Sequence, residues 1–192
     1  DTFNMVSVDG DTSTSDMFTI MASGLAGNKE ITEEGEDYQT FCQALTVIAR
    51  YLAREIARDG EGATKLITCK VVGAVDTPTA KICAKSVICS SLVKAAMFGS
   101  DANWGRVLCA IGYAQCNVDI QKVDVFFKSA KGEIQVCKMG TGLDFSEEKA
   151  KEILLEKEVE IFCDLHSGSG EAEAWGCDLT YDYVKINGDY RT

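Results

Sequence analysis

The sequence is poor in the features that mark several common classes of protein. Its 192 residues contain a single proline, Pro78, and no stretch of glycine, serine or proline long enough to act as an obvious linker. No apolar run approaches the roughly 20 residues that a membrane-spanning helix needs. No internal repeat or low-complexity segment is present. These absences favour a soluble globular chain with one large domain or two small ones.

The sequence also has few basic residues for its size. Lysine and arginine number 19 against 30 aspartates and glutamates, so the net charge is −11 at pH 7. The positive charges do not gather into a basic stripe. Because nucleic-acid phosphates and anionic lipid surfaces repel such a chain, the composition predicts neither a nucleic-acid nor a membrane partner.

Nine cysteines are present, but their number is odd, their spacing is irregular and no C-x-x-C pair occurs. Structural zinc sites use closely spaced ligands, and disulfide scaffolds belong to small secreted domains. Most of the cysteines lie within apolar patterns, among them Cys42, Cys69, Cys109 and Cys163. We therefore expect reduced, buried thiols in a cytoplasmic protein, with no metal site.

Apolar spacing and capping residues predict several helices. From Glu36 to Ala57 the apolar residues recur at intervals of three and four, which indicates a long amphipathic helix. Thr77, just before the proline, is expected to cap a helix that runs to about Ile88. Residues 103–114 read as a short helix, and Ser146 followed by two glutamates predicts the start of another.

β-branched and alternating segments predict the strands, which are residues 65–75, 91–99, 158–165 and 174–187, with a hairpin over 122–140. Residues 17–27, "MFTIMASGLAG", are apolar enough to be buried. Together these elements predict a mixed α/β chain with long-range strand pairing.

The segment "NMVSVDGDTSTSD" permits more than one interpretation. Asp9 and Asp11 follow a strand-like run, as in phosphatases that use one aspartate as nucleophile and a second as acid. That chemistry also needs Mg²⁺ held by further acids on a later strand, and no convincing downstream pair is present. A calcium loop fails because Thr14 and Ile20 stand where its turn glycine and bidentate glutamate belong. The alternative is a strand end whose side chains cap backbone amides.

Glu61 in "DGEGATK" lies between two glycines, which let a backbone pass close to a ligand while the carboxylate points into a cleft. The alternative is a turn after a helix with a solvated glutamate. His166, the only histidine, stands in a glycine-serine loop, which is poor support for the base of a Ser-His-Asp triad. Trp104 and Arg106 flank a glycine and form either a binding corner or a core anchor.

Four segments together resemble one family. The runs "TFNMVSVDGDTSTSD", "ARDGEGATK", "SLVKAAMFGSDANWGR" and "WGCDLTYDYVKINGDYRT" are similar, in the same order, to the β chain of ornithine acetyltransferase. This enzyme is the glutamate N-acetyltransferase of arginine biosynthesis. The match runs essentially from end to end, and several of the motifs are long. The resemblance implies that the aspartate-rich opening is structural and lies near the active-site cleft.

The resemblance also implies a mechanism. A precursor cuts itself before a threonine, and the two chains stay associated. The new N-terminal threonine attacks the acetyl group of N-acetylornithine, and glutamate then takes the acetyl group from the acetyl-enzyme. A free α-amine can serve as the base for such a hydroxyl, and donors from the α chain would stabilise the oxyanion. No cofactor is implied, and acetyl-CoA remains open as a further donor.

Only some of the family's functional residues have a counterpart in this sequence. Glu61, Asn187 and Thr192 match the family's substrate-binding residues, while Gly188 stands where the family usually has alanine. The nucleophilic threonine is expected upstream of Asp1, so this chain alone holds no catalytic residue and should be inactive. The implied partner is the α chain of the same precursor, in an α2β2 heterotetramer.

The fold that the resemblance implies is a stacked α/β/β/α sandwich shared with the α chain. Residues 1–74 would form part of that sandwich, and residues 75–192 a smaller C-terminal α/β domain with a tail that returns to the active site. Three alternatives stay open: a related acetyltransferase of another pathway, a phosphatase built on Asp9 and Asp11, and a non-catalytic structural fragment.

Overall fold

A computed structural model describes residues 1–190, in which helices flank a seven-stranded mixed sheet. The strands are β1 (Val6–Ser7), β2 (Leu66–Ala74), β3 (Asp124–Ser129), β4 (Gly132–Lys138), β5 (Thr141–Gly142), β6 (Glu158–Asp164) and β7 (Gly170–Cys177). The helices are α1 (Glu36–Arg58), α2 (Thr77–Cys89), α3 (Ser91–Phe98), α4 (Trp104–Gly112), α5 (Glu147–Leu154) and α6 (Tyr181–Asp189). Short 3-10 turns cover Phe3–Met5 and Ile120–Lys122. The mixed α/β prediction is confirmed.

The order of strands across the sheet is β1-β7-β2-β6-β3-β4-β5. β2 lies parallel to β6 and antiparallel to β7, and the short β1 lies parallel to β7 at the edge. The predicted boundary between residues 74 and 75 falls at the end of β2, whose two neighbours come from the second half of the chain. Both halves therefore contribute strands to one sheet, and the division into two domains stays a prediction.

The two faces of the sheet are covered by different helices. Cys69 and Val71 of β2 alternate with more exposed neighbours and are fully buried, as period-two packing requires. On this face α2 packs against β2 and β7. On the other face α1 packs against β7, and the Arg50 guanidinium lies 5.5 Å from the centre of the buried Trp175 ring. The side of α1 that meets the sheet carries small residues, Ala49, Ala53 and Ala57.

The structure confirms α1, β2, the β3–β4 hairpin, β6, the helix α4 and the start of α5 at Ser146. It corrects residues 91–99, predicted as a strand, which form α3. The Ser90 hydroxyl accepts a hydrogen bond from the Val93 amide at 3.3 Å, and Val93, Ala96 and Met97 are buried at helical spacing. α2 is capped by Asp76, one residue earlier than predicted, through the Thr79 amide at 2.8 Å.

The final predicted strand, residues 174–187, is also wrong in its second half. β7 ends at Cys177, and α6 begins after Thr180, whose hydroxyl accepts a hydrogen bond from the Tyr183 amide at 3.1 Å. The cap at Thr180 is a helix-start signal that the strand-forming composition of this segment hid.

Residues 17–27 are not buried in this chain, contrary to the prediction. Met17, Met21 and Leu25 are 87%, 92% and 87% exposed, and no helix or strand lies between Ser7 and Glu36. Of the cysteines expected inside, Cys69 and Cys163 are buried, Cys42 is half-buried and Cys109 is exposed. No helix within residues 1–190 has the length and apolar character needed to cross a membrane.

Candidate functional site

The loop after α1 meets the last helix of the described chain. α1 ends at Arg58, and the turn that follows places Glu61 at the surface beside α6. The Asn187 side-chain amide donates a hydrogen bond of 2.7 Å to Glu61 Oε2 and another of 3.1 Å to the Tyr183 carbonyl. Two predicted site residues, 126 positions apart, are therefore in direct contact. The third, Thr192, lies outside the described residues.

The glycines beside Glu61 serve contacts within the chain. A Cβ on Gly60 would lie 2.8 Å from Cys177 Sγ. Gly62 has a φ of +66°, and a Cβ there would lie 2.6 Å from the Tyr183 backbone nitrogen. The sequence predicted that these glycines make room for a ligand. In the structure they make room for α6 and for the end of β7. The turn predicted as the alternative is present, and its glutamate is exposed but hydrogen-bonded.

Two side chains missed in the sequence hold this turn in place. Asp178 is buried, and its Oδ1 accepts hydrogen bonds from the amides of Thr64 at 2.8 Å and Lys65 at 3.0 Å. The Thr180 hydroxyl donates to the Gly62 carbonyl at 2.7 Å. A charged residue directly after an apolar strand was the available signal for Asp178. The segment between β7 and α6 is therefore tied to the Glu61 loop at both of its ends.

The aspartate-rich opening segment reaches the same site. The Tyr183 hydroxyl donates to Asp9 Oδ2 at 3.0 Å, and the Asp11 amide donates to Asp9 Oδ1 at 2.9 Å. Below this turn the buried Lys94 ammonium donates to the Val8 carbonyl. Asp9 thus caps a backbone amide, as the structural interpretation of this segment predicted.

The site is acidic. The pKa of Tyr183 is raised by burial, by its hydrogen bond to Asp9, and by the charges of Asp9, Glu61 and Asp11. Its hydroxyl, protonated at neutral pH, acts as the donor in the hydrogen bond to Asp9. In the part of the chain that the structure describes, none of the three carboxylates forms a salt bridge. Such a surface suits a ligand that carries an ammonium group.

Comparison with known proteins decides the family. The sequence model of the ArgJ family matches residues 1–192, the whole chain. The chain belongs to the ArgJ family.

Curated relatives within the ArgJ family are similar over their matched region. "Arginine biosynthesis bifunctional protein ArgJ 1" of Clostridium acetobutylicum is 54% identical over 192 residues, which cover all of this chain and 47% of that protein. ArgJ of Symbiobacterium thermophilum is 53% identical over 190 residues, 99% of this chain and 46% of that one. The chain thus spans about half the length of the curated relatives that it matches.

A solved ArgJ structure shares the fold. The crystal structure of arginine biosynthesis bifunctional protein ArgJ from Bacillus halodurans superposes with a TM-score of 0.92 at 49% identity. The match covers 98% of this chain and 87% of the crystallised one. The family resemblance recognised from the four sequence motifs is confirmed.

In this ArgJ-family chain, His166 lies away from the candidate site. Its Nε2 is 3.2 Å from Asp124 Oδ2, in the loop after β6, at the opposite end of β2 from Glu61. The neighbouring Ser167 hydroxyl donates to the Leu165 carbonyl at 2.8 Å, and not to the histidine. These residues form no Ser-His-Asp triad.

Trp104 and Arg106 have structural contacts. The Trp104 ring packs against Gly142, where a Cβ would lie 2.3 Å from the indole, and Arg106 Nη1 donates to the Leu92 carbonyl at 2.8 Å. The core-anchor interpretation of this motif is supported. Among residues 1–190, no three histidine, cysteine, aspartate or glutamate side chains are placed to hold a metal ion.

Three surface cavities of about 450 to 530 Å³ lie elsewhere in the described chain. One lies between α1 and the sheet, beside Arg50 and Trp175, and another lies beside α2. Glu61 and Asn187 line none of the three. Both side chains are exposed in this chain by itself.

Proposed function

We propose that this chain is the β-chain portion of an acetyltransferase that moves the acetyl group from N-acetylornithine to glutamate through an acetyl-threonine intermediate. The observation that carries the proposal is the 2.7 Å contact between Asn187 Nδ2 and Glu61 Oε2. It unites, from distant parts of the chain, two of the residues to which the resemblance assigns substrate binding. The curated relatives are named as proteins of arginine biosynthesis.

The chemistry of these side chains fits such substrates. The exposed Glu61 carboxylate can accept hydrogen bonds from the ammonium group of ornithine or glutamate. The Asn187 amide can both donate and accept, so it can bind a carboxylate or an acetamide. Thr192, with its hydroxyl, is the third proposed contact. The nucleophilic threonine, upstream of Asp1, would use its own α-amine as base.

An exposed apolar surface supports a partner chain. α1 buries its alanines against the sheet and turns larger apolar side chains outward, among them Phe41, Ile48, Leu52 and Ile56. The apolar segment 17–25 is exposed as well. Contiguous apolar surfaces of this kind mark protein interfaces. We assign this one to the α chain of the same precursor.

In this proposal the α chain completes the α/β/β/α sandwich and supplies the oxyanion donors. Residues 1–74 belong to the sandwich, and residues 75–192 form the smaller domain whose tail returns to the site. Two such pairs make an α2β2 heterotetramer in the cytoplasm.

The other candidate functions have less support. A phosphatase would need Asp9 free to attack phosphorus, but its Oδ1 and Oδ2 each accept a hydrogen bond within the protein. A related acetyltransferase of another pathway would use the same site, and substrate profiling would separate it from the proposed enzyme. A purely structural fragment would give no reason for Glu61 to affect turnover.

The test uses the complete two-chain enzyme and follows ornithine release from N-acetylornithine in the presence of glutamate. Glu61→Gln should lower kcat/KM at least about ten-fold, the scale of one lost charge-assisted contact. Glu148→Gln, an exposed glutamate on α5, is the matched control and should leave kcat/KM unchanged. Unchanged kinetics for Glu61→Gln would remove the site assignment. Mg²⁺-dependent phosphomonoester hydrolysis that Asp9→Asn abolishes would establish the phosphatase instead.

A further inference from the structure

α6 carries Asn187 to the site, yet none of its own residues is buried. Its apolar side chains Val184 and Ile186 are largely exposed. One aromatic contact, in which Tyr181 meets Phe98 edge-on with 5.7 Å between ring centres, lies at its first turn. Because little apolar surface is buried under α6, hydrogen bonds must set its position.

Those hydrogen bonds lie on one face of the helix. The residues that make them, Thr180, Tyr183 and Asn187, are separated by three and four positions, which places their side chains in a row. Thr180 bonds the Gly62 carbonyl at 2.7 Å, and Asn187 bonds Glu61 at 2.7 Å. Both of these partners belong to the loop after α1. Tyr183, between them, is the member of the row that reaches a different element.

That element is the segment of β1 and Asp9, which is held firmly in place. Asp9 follows β1, which pairs with β7 through Val6 and Trp175. The Lys85 ammonium donates to the Val6 carbonyl at 2.8 Å, and the Lys94 ammonium donates to the Val8 carbonyl. The Asp9 carboxylate is held in turn by the Asp11 amide at 2.9 Å. The acceptor for Tyr183 is therefore anchored to the sheet edge and to two helices.

We propose that Asp9 and Tyr183 are positioning residues of the substrate site. Their 3.0 Å hydrogen bond fixes the rotation of α6 about its axis, and this rotation decides whether the Asn187 amide faces the ligand position beside Glu61. Neither residue needs to touch the substrate. This inference rests on the proposed function, since it takes Asn187 and Glu61 as the binding pair.

The geometry links Tyr183 to Asn187 directly as well. The Tyr183 carbonyl accepts a hydrogen bond from Asn187 Nδ2 at 3.1 Å, so a shift of the tyrosine backbone moves the acceptor of the asparagine. The tyrosine hydroxyl is protonated near neutral pH and can donate to a carboxylate, and burial and the hydrogen bond to Asp9 raise its pKa further. A loosened α6 would have to be ordered when substrate binds, which weakens binding without changing the chemical step.

The test compares five variants of the complete two-chain enzyme: Tyr183→Phe, Asp9→Ala, Asp9→Asn, the double change Tyr183→Phe with Asp9→Ala, and Tyr181→Phe. Tyr183→Phe and Asp9→Ala should each raise KM for N-acetylornithine about ten-fold, with kcat nearly unchanged. The double variant should be no worse than either single one, because both remove one contact. Asp9→Asn keeps an acceptor and should recover most of the affinity. Tyr181→Phe, on the same helix, should match the parent enzyme.

Other outcomes would overturn the inference. Additive effects in the double variant would mean that the two residues act separately. A lower melting temperature with an unchanged KM would mean that the pair is merely structural. A fall in kcat alone would place one of the residues in the chemical step.

A readout that needs no activity separates this inference from the proposed function. Hydrogen exchange of the α6 amides should become faster in Tyr183→Phe and stay unchanged in Tyr181→Phe. Unchanged exchange in Tyr183→Phe rejects the positioning role even if the enzyme is active. Faster exchange in a protein that transfers no acetyl group retains the mechanical link between Asp9 and α6, and rejects the proposed function together with the substrate-positioning role.

Discussion

Lys65 and Asp178 are both buried and adjacent, yet their contact runs through the Lys65 backbone amide, 3.0 Å from Asp178 Oδ1. The Lys65 ammonium donates elsewhere, to the Met97 carbonyl at 2.6 Å, the Leu154 carbonyl at 2.7 Å and the Ser100 hydroxyl at 2.8 Å. One residue therefore joins the candidate site, through its backbone, to the ends of α3 and α5, through its side chain.

Replacing Lys65 with methionine, which has a similar volume, should destabilise the protein. The Met97 and Leu154 carbonyls would each lose a charged donor, although both keep a weaker one from the Ser100 region. We therefore expect a loss of about 1.5–3 kcal/mol in the free energy of unfolding. Chemical denaturation of Lys65→Met and of Lys151→Met, an exposed lysine on α5, checks this expectation. Equal stability of the two variants would contradict it.

The same comparison has a pH dependence. Burial lowers the pKa of Lys65, an effect that the charge of Asp178 opposes. Between the lowered pKa and the ordinary value of about 10.4, the unfolded chain binds more protons than the folded one, so this lysine's contribution to stability rises with pH. The stability gap between the parent protein and Lys65→Met should widen toward alkaline pH.

Replacement by alanine should have opposite effects on stability at Gly62 and at Gly188. Gly62→Ala places a side chain at a positive φ and against the Tyr183 backbone, which costs at least about 1–2 kcal/mol and should displace α6. Gly188 lies within α6 with open space around it, so Gly188→Ala should stabilise the helix by up to about 1 kcal/mol. Melting temperatures and KM values of the two variants test the contrast, which a tolerated Gly62→Ala would disprove.

Removal of the last four residues, "DYRT", should abolish acetyl transfer while leaving most of the fold intact. The described part of this segment is exposed and contributes nothing to the core. Melting temperature and ornithine release of the truncated two-chain enzyme are the measurements. Near-normal turnover with an intact fold would reject a role for the tail. Thr192→Ala, a single change, should raise KM and separates loss of a contact from loss of the fold.

The thiols should fall into distinct classes of reactivity. Cys89 and Cys109 are exposed, whereas Cys69 and Cys163 are buried, and burial raises the pKa of Cys83 to about 12. Because the thiolate is the reactive form, iodoacetamide should modify Cys89 and Cys109 first in the native protein. Peptide mapping before and after denaturation tests this order. Early labelling of Cys83 would contradict it.

The sequence predicts the longer elements well and the short ones poorly. In α1 the apolar residues recur with a helical period over 22 predicted residues. In the β3–β4 hairpin, apolar and polar residues alternate on both sides of a turn. The segments that form α3 and α6 are short and contain apolar and β-branched residues, so composition alone favours a strand. Their capping residues, Ser90 and Thr180, are the signals that distinguish the two cases.

The candidate site could be predicted only in part. Glu61 and Asn187 are named by the family resemblance, and the structure brings them together. No periodicity links Asp9 with Tyr183, which are 174 positions apart and meet only through the sheet. The exposure of residues 17–27 was unpredictable from composition, because burial of an apolar segment depends on a surface to receive it.

The positions of the site residues along the chain also bear on when the site forms during folding. Its parts come from β1 at one end of the chain, the loop before β2, and α6 at the other end, and β1 joins the sheet only through β7. Contacts between such distant positions close the longest loops of the chain. Because closing a long loop costs the most entropy, such contacts form most slowly. We therefore expect the Asp9–Tyr183 and Glu61–Asn187 contacts to form late in folding, after β7 has paired with β2. A chain that has lost its last helix keeps every strand of the sheet but lacks the site.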